Sequence, residues 1–254
     1  MFFFLPVGVD YQARRYPVVT FVLMGLCTVV FFAALPASQP SLFDPYPWAF
    51  QHLWLIPAQS YWWTYLTSMF VHGGFMHLLG NMVYLFLFGS CVEDLIGRWR
   101  YTIFYVLCGL ASEFTNIAFS ADHFASEIPL GGASGAISGC IGGFLLLLPR
   151  TRIEFKWFFW FWFRFWAGEF YLPAWLVIAG WFLRDFAGLM IAQLKPAHGG
   201  IAFGAHVCGT LFGAAVLASR KLWLKDSEAE DEDAMHNSNL RDPPVTGVPS
   251  IPVY

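Results

Sequence analysis

The chain has 254 residues, of which 57% are hydrophobic, 20% aromatic and only 12% charged, with a net charge of −3 and a mean hydropathy of +0.55. Soluble domains carry about 25% charged residues, and half that density does not cover the surface of a soluble protein of this length. A cytosolic enzyme, a disordered chain and a disulfide-built secreted scaffold are excluded, which leaves a polytopic helical membrane protein. The five cysteines, Cys27, Cys91, Cys108, Cys140 and Cys208, all lie in apolar stretches and read as small core residues.

In chain order, residues 1–16 form a short N-terminal segment whose apolar start is too short for a cleavable leader; Arg14 and Arg15 then precede the first long apolar run. Six apolar segments follow: Pro17–Leu35, Phe75–Val92, Tyr101–Phe119, Ser134–Pro149, Tyr171–Ala192 and Ile201–Ser219. All but the fourth are long enough to cross about 30 Å of hydrocarbon. The reading is an all-α membrane protein, with a domain of six transmembrane helices over residues 17–219. Residues 220–254 form an acidic, Pro-rich, disordered tail.

Orientation follows from the basic residues. With both termini in the cytoplasm, only Lys195 of the 14 Lys and Arg falls outside, and only Arg184 falls within a span. The connection from Pro36 to Phe70 is rich in Trp, Tyr and Pro and reads as partly interfacial. Residues 154–170, EFKWFFWFWFRFWAGEF, read as a second interfacial stretch on the inner side.

Polar groups at membrane depth are functional candidates by default. The second segment opens HGGFMHLLGNM, with His72, His77 and Asn81; the fourth opens GGASGAISGCIGG, with Ser134; the sixth holds GGIAFGAHVCGTLFG, with His206. At 1.5 Å per residue, Asn81 lies about 13 Å and His206 about 9 Å below the outer boundary. Ser134 to Arg150 makes about 24 Å of helix, short of a core of about 30 Å, so Ser134 also starts below the surface. The loop before it has to dip inward, which irregular backbone tolerates only beside a watery cavity. Gly135, Gly139 and Gly143 form one strip of small residues, and Ala205, Gly209 and Gly213 another. If the strips face each other, the Ser134 hydroxyl meets the His206 imidazole, the arrangement by which a base activates a serine. Ser134 heads a helix whose free N–H groups suit an oxyanion. His77 and Asn81, four apart on one face, could add side-chain donors. No carboxylate has an obvious place beside the histidine, which favours a Ser–His dyad. Arg184 and Asp185 read as partners in a polar part of the bundle. His72 reads as a residue of the water boundary, and Glu113 as facing the cavity without a role.

HGGFMHLLGN at 72–81, GASG at 132–135 and GAHVCG at 204–209, followed by Gly213, together resemble the rhomboid family of intramembrane serine proteases. The match runs over roughly residues 10–220. The resemblance implies a rhomboid-like six-helix bundle, a nucleophile at Ser134 and a general base at His206. It implies oxyanion donors from Asn81, His77 and the Ser134 backbone, and close packing at Gly132, Gly135 and Gly209. Glu93 matches an acid often found just after the second span. No cofactor, metal or nucleic acid is implied. The implied partners are the lipid bilayer and single-span membrane protein substrates, cut near the outer face of a bacterial plasma membrane. The chain departs from the family pattern at Trp62-Trp63-Thr64, at Cys27 and at Phe203. An inactive relative that binds transmembrane clients is the alternative, although such proteins typically lack the serine or the histidine. A small transporter is a third reading, but no inverted repeat is visible.

Overall fold

The polar groups at the C-terminal end of the second segment decide how the first two helices dock. The structure, a computed structural model, describes residues 2–34, 52–119, 129–194 and 203–219. The chain divides into two units, Met1–Val216 and Leu217–Tyr254, and the first holds every contact that builds the site. Helix α1 spans Val18–Ala34 and follows Pro17. Its first N–H groups have no intrahelical partners, as at any helix start. Glu93, at the far end of the next helix, supplies them: its carboxylate accepts from the backbone of Val19 (2.9 Å) and Thr20 (2.8 Å) and from the Thr20 hydroxyl (2.8 Å). A negative charge at a helix N-terminus is also stabilised by the aligned peptide dipoles.

Asp94 does the same for the preceding turn. It accepts from the Tyr11 hydroxyl at 2.6 Å and from the backbone of Arg14 and Arg15 at 3.0 and 2.8 Å. Burial and the Asp94 hydrogen bond push the Tyr11 phenol up to about 12.

Helix α2 runs Phe75–Ile96, interrupted by one wider turn at Leu85–Gly89. It ends at Gly97, whose φ of 82° favours glycine, and α3 starts at once over Arg98–Phe119. Tyr101 and Tyr105 of α3 are fully buried. The Tyr101 hydroxyl fills the space that a side chain at Gly89 would need. Helix α4, Ser134–Leu147, is buried along most of its length, with Phe144 edge-on to Phe88. Helices α5, Ala174–Leu194, and α6, Phe203–Ser219, follow.

Among the described residues a helix runs through each of the six apolar segments, the fifth starting only at Ala174 because Tyr171–Pro173 are extended. Among the described residues, two have both the length and the apolarity of a membrane span: Phe75–Ile96, 22 residues with mean hydropathy 1.6, and Ala174–Ala192, 19 residues with 1.5. Val18–Ala34, Ser134–Leu147 and Phe203–Ser219 are apolar but shorter.

The all-α expectation needs correction. Strands β1, Phe2–Val9, β2, Arg152–Phe161, and β3, Arg164–Pro173, form one antiparallel sheet in the order β1-β2-β3. The run read as an interfacial stretch is a hairpin whose register goes from Arg152↔Pro173 to Phe161↔Arg164. Its turn is Trp162-Phe163, with Trp162 at φ 53°. The physical reason is the density of aromatic side chains, which favour pleated, half-buried backbone and pair across the strands. Phe155 stacks on Phe170 at 5.2 Å and Phe159 lies 5.5 Å from Trp166. The N-terminal segment is the third strand of this sheet. It shifts register between Pro6 and Gly8, where proline has no N–H to give. The acidic tail, Lys195, residues 36–51 of the first connection and residues 120–128 lie outside the described residues.

Candidate active site

Two strips of small residues bring α4 and α6 together. A Cβ on Gly209 would collide with the Gly135 carbonyl and one on Gly213 with the Gly139 carbonyl; Gly142 meets the Thr210 backbone in the same way. Helices whose backbones come this close carry neighbouring side chains into direct contact. Ser134 stands one residue before Gly135, as the first residue of α4, and His206 one residue after Ala205. Ser134 Oγ and His206 Nε2 are 2.9 Å apart. Gly135 also lies against Ser112 of α3, whose side chain occupies the place of its missing Cβ.

The segment leading into α4 is held by backbone pairing. Leu130 exchanges two hydrogen bonds with Leu55, at 2.8 and 3.0 Å, and the Gly132 N–H donates to the Ser68 carbonyl at 2.9 Å. The Ser68 hydroxyl in turn donates to Glu113 at 3.2 Å. Glu113 is thus buried beneath this segment and is absent from the lining of the cavity it was expected to face. Gly132 has a φ of 131°, a conformation that side chains rarely adopt. A Cβ there would stand 2.9 Å from His77 Nε2 and 3.9 Å from Ser134 Oγ. Gly132 therefore leaves open a small space bordered by both the hydroxyl and the imidazole.

His77 and Asn81 sit one turn apart on α2, and both line a cavity of about 740 Å³ together with Ser134, Asp185 and His206. One Asn81 amide N–H donates to the His77 carbonyl at 2.9 Å, which leaves its second amide proton for the cavity. His72, expected at the water boundary, is instead buried; its Nδ1 lies 3.3 Å from the Phe70 carbonyl and its ring 5.1 Å from that of His77.

The expectation that no carboxylate reaches the histidine is overturned. Asp185 Oδ2 of α5 lies 3.1 Å from His206 Nδ1. Its other oxygen, Oδ1, accepts from Arg184 Nε at 2.9 Å and Nη2 at 2.6 Å. The pairing with Arg184 agrees with the sequence reading; the reach to His206 was missed. The signal available was spacing. Trp181, Asp185 and Gly188 fall at i, i+4 and i+7 and share one helical face. Trp181 packs edge-on against Tyr84 and Phe88 of α2, at 4.9 and 6.1 Å. The ring of Phe203 occupies the space of a Gly188 Cβ. Asp185 lies between these two contacts.

A family model described as the Rhomboid domain matches residues 59–220. The chain belongs to the rhomboid family. Rhomboids are multi-pass helical membrane proteins. GlpG of Salmonella typhi, named a rhomboid protease, is 25% identical over 201 residues, 78% of this chain and 61% of GlpG. GluP of Bacillus subtilis, also named a rhomboid protease, is 35% identical over 98 residues, 39% of this rhomboid and 18% of GluP. YdcA of Bacillus subtilis, provisionally named a rhomboid protease, is 32% identical over 136 residues, 53% of this chain and 64% of YdcA. The rhomboid chain thus spans less than two thirds of the length of each of these relatives.

Proposed function

We propose that this rhomboid is an intramembrane serine endopeptidase that cuts transmembrane-segment substrates near the outer membrane face through Ser134 and His206. The observation that carries the reading is the 2.9 Å approach of Ser134 Oγ to His206 Nε2 at the edge of a cavity of about 740 Å³. Ser134 Oγ attacks the scissile carbonyl while His206 Nε2 takes its proton. The same nitrogen then protonates the leaving amine. Water hydrolyses the resulting acyl-enzyme by the reverse sequence. Charge on the carbonyl oxygen develops beside the backbone N–H of Ser134, the free amide proton of Asn81 and the His77 ring. Preorganised donors of this kind are worth about 3 kcal/mol each in a transition state.

We read all six apolar helices as spans of one domain, residues 17–219, with both termini in the cytoplasm and residues 220–254 as a tail. The basic residues support that orientation. Single-span proteins of a plasma membrane are the substrates this arrangement suits. The client-binding alternative has less support, because serine and histidine are both present and within hydrogen-bond reach. The test is labelling of the detergent-solubilised chain by a fluorophosphonate probe, together with cleavage of a model substrate whose span is rich in Gly and Ala. Wild type is expected to label and cut, and Ser134→Ala to do neither. Equal labelling of both proteins would refute the assignment.

A further inference from the structure

We propose that Asp185 is the positioning residue for His206, which makes the site a Ser–His–Asp relay whose third member is carried on α5; the proposal rests on the protease reading above. A carboxylate has only acceptors to offer, so the contact from His206 Nδ1 to Asp185 Oδ2 at 3.1 Å places the ring proton on Nδ1. A neutral ring then presents a lone pair at Nε2. Ser134 Oγ, at 2.9 Å from that nitrogen, becomes the donor. The orientation of both hydrogen bonds follows from the single fact that Asp185 cannot donate. With the opposite tautomer, Nε2 would carry the proton and could not accept one from the serine.

The carboxylate is itself held from two directions. Arg184 grips Oδ1 with two donors, which turns Oδ2 toward the imidazole. Trp181, one turn earlier on the same face, is wedged against Tyr84 and Phe88, and Gly188, one turn later, admits Phe203. Phe203 lies one turn before His206 on α6. The same face of α5 therefore touches α2, which carries His77 and Asn81, and α6, which carries the base. Asp185 is well shielded, with its side chain 11% exposed, and the His206 side chain is 16% exposed, so little water competes for their hydrogen bond. When His206 takes the serine proton, the ring gains a positive charge that Asp185 Oδ2 faces directly. The proton moves from Ser134 Oγ to His206 Nε2 and no further, and Asp185 stays ionised throughout.

The experiment uses the full chain in proteoliposomes and compares wild type, Asp185→Asn and Asp185→Glu. Asp185→Asn keeps the shape and allows the amide to donate to Nδ1, which admits the wrong tautomer. Loss of the corresponding carboxylate in a soluble triad costs about 10⁴ in kcat. With Arg184 still present, a fall in kcat of about 10²–10³ is expected, with KM within threefold and with fluorophosphonate acylation slowed in parallel. Asp185→Glu is expected to recover at least a tenth of wild-type kcat. An Asp185→Asn protein that cuts within threefold of wild type overturns the proposal. So does one in which only KM rises, because that would make Asp185 a substrate contact.

Histidine ¹⁵N spectra of the wild-type protein, with His206 assigned by its loss in His206→Gln, decide the matter independently of whether the Asp185 variants fold. A protonated Nδ1 and a bare Nε2 support the proposal, and the reverse tautomer refutes it. A wild-type chain that neither labels nor cuts defeats the protease reading instead, while the tautomer still reports on Asp185.

Discussion

The close approach of α4 and α6 turns one methyl group into a quantitative probe of the site. In Gly209→Ala, the new Cβ would stand 2.8 Å from Ser112 Oγ and 3.2 Å from the Gly135 carbonyl carbon, with the carbonyl oxygen nearer still. Ordinary contact begins at 3.4 Å and the backbone carbonyl oxygen is the tightest of these contacts, so α6 has to retreat by about 1 Å. His206 lies one turn from Gly209 and Ser134 is next to Gly135. The retreat therefore stretches their 2.9 Å contact to about 3.9 Å, beyond hydrogen-bond range. A misplacement of about 1 Å in a catalytic group costs about 10²-fold, so kcat is expected to fall about 10- to 100-fold. Overpacking of this kind lowers stability by about 1–3 kcal/mol. The assay is cleavage of the Gly/Ala-rich model substrate, with thermal melting in the same detergent. Gly25→Ala is the control: nothing lies within 4 Å of its Cβ position, and alanine is the better helix former by about 1 kcal/mol. It should leave kcat unchanged and raise the melting temperature slightly. A Gly209→Ala protein with more than half of wild-type kcat would show that contact between the strips does not set the distance from serine to histidine.

Gly132→Ala combines an unfavourable φ of 131° with a side chain 2.9 Å from the His77 ring. Strain of this type costs about 1–3 kcal/mol. The variant should lose at least tenfold in kcat, with the loss appearing also in the rate of fluorophosphonate acylation; unchanged acylation would mean that the space beside Ser134 is not used. Tyr11→Phe removes the 2.6 Å hydrogen bond to Asp94 and, discounted for the exposure of the ring, should cost about 0.5–1 kcal/mol. The Tyr11 phenol is raised in the folded chain from 10.0 to about 12, so its contribution is complete below pH 10 and disappears as pH rises through 12. The melting-temperature difference between Tyr11→Phe and wild type should therefore be constant from pH 7 to 9 and shrink above pH 10. A difference that grows with pH would contradict this.

The amino-acid sequence by itself determined where the helices run and which side chains of the site come from which segment. Runs of apolar residues with Gly97 or Pro17 at their boundaries are local signals, and helix formation is largely a local event. Ser134, His206, His77 and Asn81 were singled out because polar groups are rare in such runs, and the fold brings all four to one cavity. Residues 154–170 misled because an uninterrupted aromatic run has no period to separate a strand from an interfacial stretch. Its pairing with residues 2–9, more than a hundred positions away in the chain, exists only once the helices have set the strands side by side. Asp185 was missed for a related reason. Next to Arg184 its charge looked accounted for, and nothing local says that its second oxygen faces an imidazole 21 residues later. That meeting depends on the rotation of α5 against α2 and α6, which is set by the fit of Trp181 between two rings and of Phe203 over Gly188. Lateral register between helices is a property of matched surfaces, so tertiary packing alone decided that the histidine has a carboxylate behind it.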